Sequence, residues 1–214
     1  MRARAFPICV MTETMRGHES RAALGLRTHS GWAAAILACG SASDIEIVER
    51  RRIELCDPAT EGSKQPFHHA EPMAFARAEA FIERCRKSTA ALAASAIGAL
   101  IDCAGEHKLK LVGCGVLSAS GRALPSLKEI LASHALIHAA EGEFYRDALA
   151  QAATHAKLPV TRIREREALR QAADELGRPE AKLKEKLTSL GKSLGPPWTE
   201  DQKLATLAAW ILLA

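Results

Sequence analysis

The strongest constraint on the fold is a change of hydrophobic period along the chain. Residues 31–38, GWAAAILA, form a short apolar run bounded by turn residues. Residues 44–56, DIEIVERRRIELC, alternate apolar and polar at Ile45, Ile47, Ile53 and Leu55 around a charged middle. The Gly/Ser segment 40–43 between them reads as a turn, so the two runs make a hairpin. From Met73 to Ala104 the apolar residues recur at three and four, through Phe75, Ala78, Phe81, Ile82, Cys85, Leu92, Ala96 and Leu100, as on a helix. Residues 57–71 carry two prolines, a glycine and the patch KQPFHH, and read as a loop with room for a short third strand at 65–69.

The second half alternates. Residues 109–117, LKLVGCGVL, read as a central strand, and a helix follows from Ser126 or Ser133 to His155. Residues 158–163 read as another strand. Helices are expected over 165–176, 180–190 and 200–213, the last capped by Thr199, with Glu200 and Asp201 in its first turn. A hairpin followed by alternating helix and strand implies an α/β protein with a mixed sheet and right-handed crossovers. Residues 1–24 show no period and read as a tail, leaving 25–214 as a single domain. The first residues lack the apolar core of a signal peptide, so the tail reads as disordered or as upstream of a true start at Met11 or Met15.

Composition removes several classes. The chain has 214 residues, 48% hydrophobic and only 4% aromatic, so alanine supplies much of the core. A net charge of +4 permits nucleic-acid contact without requiring it. Six cysteines without a CxxC pair, mostly within apolar runs, suit buried thiols in a reducing, cytoplasmic setting. No run of about 18 apolar residues stands out, so no membrane span is expected.

Residues 133–146, SHALIHAAEGEFYR, concentrate the chemistry. His134, His138, Glu141 and Tyr145 fall within roughly 60° of one another on a helix. The apolar side, through Ile137, Ala140, Phe144 and Ala148, lies next to this stripe. Imidazoles and a carboxylate on one face can hold a metal or move protons. The plain alternative is a half-buried helix whose histidines bond to backbone.

Three segments resemble the ribonuclease H-like superfamily, with a layout similar to the RuvC-type Holliday-junction resolvases. They are GLRTHSGWAAAIL (25–37), HALIHAAEGEFYRDALAQAATHAKLPVTRIRERE (134–167) and EDQKLATLAAWILL (200–213). The resemblance implies two-metal phosphodiester chemistry on carboxylates. This chain departs from that pattern. Arg27 stands where the first strand of such nucleases carries an aspartate, and LVGCGVLSAS ends the central strand without an acid. Asp201 or Glu200 is the retained carboxylate. One carboxylate cannot hold two hard cations, so altered or lost metal chemistry is implied.

The candidate metal set is therefore His29, His134, His138, Glu141 and Asp201, for Mg, Mn or Zn, with His138, Glu141 and Asp201 as candidate catalytic groups. Lys64, His68, Ser120 and Arg122 are candidates for nucleic-acid or phosphate contact. The leading expectation is a nucleic-acid-binding or nuclease-related protein. The alternatives are a metal-dependent hydrolase of a small, for example phosphorylated, substrate and a non-enzymatic interaction protein.

Overall fold

The computed structural model describes residues 20–119 and 123–214. The opening meander has three strands. β1 (Ser20–His29) turns through Ser30 and Gly31 into β2 (Trp32–Gly40), and β3 (Ile45–Glu54) follows, all antiparallel to their neighbours. Gly31 sits at φ +82°, a conformation the tight turn requires and glycine adopts at little cost. Residues 20–24 are thus strand rather than tail, while residues 1–19 of that expected tail lie outside the described residues. The signal was missed because Ala22, Ala23, Leu24 and Leu26 are all fully buried. A strand covered on both faces shows no alternation.

The short strand expected at residues 65–69 is instead a helical turn, α1 (Pro66–Ala70). Proline at the first helical position is pre-set for a helix start. α2 (Phe75–Glu106) leads to β4 (Leu109–Ser118). The helix expected from Ser126 or Ser133 proves to be two. Ser126 forms a capping box with Glu129 on α3 (Leu127–Leu131), and Ser133 precedes α4 (His134–His155) without a side-chain cap. β5 (Val160–Arg164), α5 (Ala168–Leu176), α6 (Glu180–Leu194) and α7 (Glu200–Ile211) complete the chain.

β4 runs parallel to β1, and β5 parallel to β4, giving the order β3-β2-β1-β4-β5. This is the mixed α/β sheet that the hairpin and the later alternation of helix and strand led one to expect. One face packs Leu24, Leu26, Ala35 and Val116 against α2 and α4. The other packs Ala23, Ile36, Ala38 and Leu117 under α5, α6 and α7. α2 is long and apolar enough by length and composition to cross a membrane, which the sequence reading passed over, and Ile82, Ile97 and Leu100 on it lie in the core.

α7 lies against the sheet almost without side chains between. A Cβ on Gly25 would meet the Ala205 carbonyl oxygen at 1.8 Å, and one on Gly115 would meet that of Ala208 at 2.5 Å. Glycine on the strands and alanine on the helix are what allow this approach. It carries the start of α7 to the carboxyl ends of β1 and β4, where open α/β sheets place their ligands.

Candidate functional site

At that edge the chain builds an ion-pair knot around Arg27. The guanidinium donates through Nη1 to Asp201 on α7, and through Nη2 to Glu165 just after β5 at 2.7 Å. His29, two residues on and so on the same face of β1, reaches the same Asp201 oxygen at 2.7 Å. Asp201 is held in place by the Thr199 cap, whose hydroxyl accepts from the Asp201 amide. The Arg27 side chain is 18% exposed and Asp201 19%. The Nε of Arg27 is buried with no hydrogen-bond partner. Burial and the Arg27 charge push the His29 imidazole below its ordinary value. The Asp201 carboxylate can only accept, so the His29 Nε2–H is the donor of this bond.

The rest of the edge is also paired. Glu143 on α4 takes Arg146 at 3.0 Å and Arg162 at 3.2 Å, and Arg162 also reaches Asp147 at 2.5 Å. The last residue of β4, Ser118, donates to the Ile163 carbonyl. Every carboxylate of this edge described above thus faces a fixed cation.

The sheet rim beside the knot carries a stack. His29 and Trp32 lie nearly parallel with ring centroids 4.3 Å apart, and the Arg52 guanidinium lies 3.8 Å from the Trp32 ring centre. Glu54 holds Arg52 from behind at 2.5 Å. Lys64 reaches the same turn, its Cγ 3.1 Å from where a Cβ on Gly31 would lie.

The polar stripe of α4 builds a second, separate cluster. His134 and His138 face each other, Nε2 to Nε2, at 3.0 Å. His68 from α1 completes the group: one ring nitrogen of each of the three histidines lies within 4.8 Å of the others. Glu141 stands beneath them, 5% exposed. Its Oε1 accepts from the amides of Phe67 and His68 at 2.8 and 3.0 Å, and lies 3.2 Å from His68 Nδ1. Its Oε2 is buried without a partner. Burial pushes the Glu141 carboxyl up, and the bonds from His68 and Phe67 pull against that shift. Tyr145 is buried and donates to the carbonyls of Ser63 and Lys64, so it pins the loop before α1.

The expected convergence is therefore corrected. Among the described residues, no hydrogen bond or ion pair joins His29 or Asp201 to His134, His138 or Glu141. His29 and Asp201 belong to the Arg27 knot. His68, expected at a phosphate, joins the histidines, and Glu141 supports that group from outside its three ligand nitrogens. Ser120 and Arg122 lie outside the described residues. Of the basic run 50–52, Arg50 is structural: it donates to the carbonyls of Leu194, Gly195, Pro196 and Pro197 and closes the end of α6. Trp198 donates to the Leu187 carbonyl and packs beside α6. The sequence reading missed Glu165, although its position directly after a strand was a usable signal.

No protein-family model matches the chain, and no curated protein matches it. Among solved structures it is similar to Thermus thermophilus RuvC in complex with Holliday junction substrate, at 11% identity and a TM-score of 0.46, over 90% of this chain and 91% of that one. It is similar as well to a second Thermus thermophilus RuvC structure, at 10% identity and a TM-score of 0.46, over 89% of this chain and 92% of that one.

Proposed function

We propose that this chain is a ribonuclease H-like protein that binds nucleic acid without two-metal cleavage. One observation carries the loss of cleavage: the Arg27 guanidinium bridges Asp201 and Glu165 at the carboxyl end of β1. A guanidinium keeps its charge at every accessible pH and presents a rigid fork to carboxylates. It therefore supplies the positive charge that a hard cation would bring to these acids. Mg²⁺ needs oxygen ligands in octahedral geometry and keeps its own waters, and paired carboxylates under a guanidinium do not offer that.

The nucleic-acid partner is supported by the rim. An aromatic ring with cations beside it is the arrangement that stacks bases and tracks phosphates in single-strand binders. Here Trp32, Arg52 and Lys64 supply it, next to the site that the fold offers to ligands, and a base would stack on Trp32 by taking the place of Arg52 or His29 on its ring. The small-molecule hydrolase reading is weaker, because Glu141 spends one oxygen on the start of α1 and does not face an open cleft as a base. The absence of a disulfide among the described cysteines fits the cytoplasmic setting proposed here.

Fluorescence anisotropy with labelled single-stranded and four-way-junction DNA tests this reading. Binding is expected at about 50 mM salt and should weaken as salt rises, through counterion release. Trp32→Ala should weaken it about tenfold, the scale of one lost base stack. No binding at low salt, or binding indifferent to Trp32→Ala, would overturn the proposal.

A further inference from the structure

The histidine cluster has no part in the reading above, and its arrangement suits a different task. We propose that His68, His134 and His138 form a zinc site, with Glu141 as its supporting carboxylate. His134 and His138 are four apart on α4, which places both imidazoles on one face of the helix. α1 then brings His68 in from the side, with ring centroids 4.6 Å from His138 and 5.4 Å from His134. A tetrahedral zinc ion with bonds of about 2.0–2.1 Å needs its ligand nitrogens about 3.3 Å apart. The His134–His138 pair stands at 3.0 Å, and the whole group lies within 4.8 Å. Small rotations of exposed side chains close the remainder.

The surroundings follow the same logic. A zinc-bound histidine commonly donates its other ring N–H to a carboxylate, which fixes the tautomer and the ring plane. His68 Nδ1 lies 3.2 Å from Glu141, which leaves its Nε2 for an ion. His134 Nδ1 lies 3.9 Å from Glu71, again with Nε2 turned inward to His138. Two of the three rings thus direct one nitrogen to an acid and keep the other for the shared space. The buried Glu141 carboxyl is met at Oε1 by the Phe67 and His68 amides and by His68 Nδ1, while Oε2 is unpartnered. A dication above His68 would add a compensating charge.

Three imidazoles favour a borderline cation such as Zn²⁺ over Mg²⁺ or Ca²⁺. They also leave a fourth position open. His134 and His138 are exposed, so that position faces solvent, where water or an anionic oxygen such as a phosphate would complete the shell. The competing account is a plain histidine–histidine hydrogen bond with no ion, and it predicts no metal affinity.

Isothermal titration of the chelator-treated full chain with zinc chloride separates the two. One saturable site per chain is expected. Cobalt(II) in its place should give the visible absorption of a four-coordinate nitrogen/oxygen site. His138→Ala, at an exposed position, and His68→Ala should each lower zinc affinity about 100-fold, the upper end of what even an outer partner costs. His155→Ala, on the same helix but away from the cluster, should leave affinity within about twofold, and circular dichroism should show each variant folded. No saturable zinc binding, or affinity unchanged in both His68→Ala and His138→Ala, would overturn the site. Trp32→Ala should not alter zinc binding, so failure of this site and failure of the nucleic-acid reading are told apart.

Discussion

Replacing Arg27 with alanine removes the cation on which two carboxylates depend. The Arg27 and Asp201 side chains are 18% and 19% exposed, whereas Glu165 is 35% exposed. Breaking a fully buried pair costs about 3–5 kcal/mol, because the abandoned charge stays desolvated. An exposed pair contributes about 0–1 kcal/mol. The Asp201 contact lies toward the first limit and the Glu165 contact toward the second, so the expected loss is about 2–3 kcal/mol. At about 2–4 °C per kcal/mol for a chain of this size, the melting temperature should fall by about 5–10 °C near neutral pH.

Acid supplies a second readout of the same substitution. The bond and charge of Arg27 hold the Glu165 carboxyl below its ordinary value of 4.5. The unfolded chain therefore binds that proton more readily than the folded chain. This contribution is complete above about pH 4.5 and is lost as pH falls through the folded value. The gap between wild type and Arg27→Ala, followed by circular dichroism melting, should narrow on acidification below that point. A fall of less than about 1 °C near neutral pH, or a gap that ignores acid, would refute the reasoning.

Gly25→Ala should destabilise by about 3 kcal/mol or more, since its methyl would displace the Ala205 carbonyl and push α7 off the sheet; a urea midpoint unchanged from wild type would contradict the close packing. Tyr145→Phe should cost about 1–2 kcal/mol in the same assay, because the Ser63 and Lys64 carbonyls lose a buried donor. Cys114, whose thiol burial pushes up to about 12, should resist alkylation at mildly alkaline pH until the chain unfolds, as mass spectrometry would show.

The layout of the sheet was legible because its elements differ in period. β3 alternates, α2 repeats at three and four, and β4 is a bounded apolar run. Where one period failed, the reading failed with it. Ala22–Leu26 of β1 is buried on both sides and so carries no alternation. α1 is too short for periodicity to show, and only Pro66 marks it as a helix start. The site was half legible. His134 and His138 are neighbours on one helix, so their spacing announced them. His68 is brought to them by a long loop and by Glu141 bonding to two amides, and neither is written in local sequence. The Arg27 knot depends on β1, α7 and the segment after β5 meeting at one edge. The sequence singled out Arg27 and Asp201 separately. It did not show that Arg27 pairs with both Asp201 and Glu165.

The most direct test of the central claim is a cleavage assay on single-stranded and four-way-junction DNA with magnesium or manganese, run at protein concentrations where anisotropy reports saturation. The account predicts bound, intact DNA in both metals, because Arg27 occupies the charge position between Asp201 and Glu165. Metal-dependent cleavage that is lost on Asp201→Asn would contradict it.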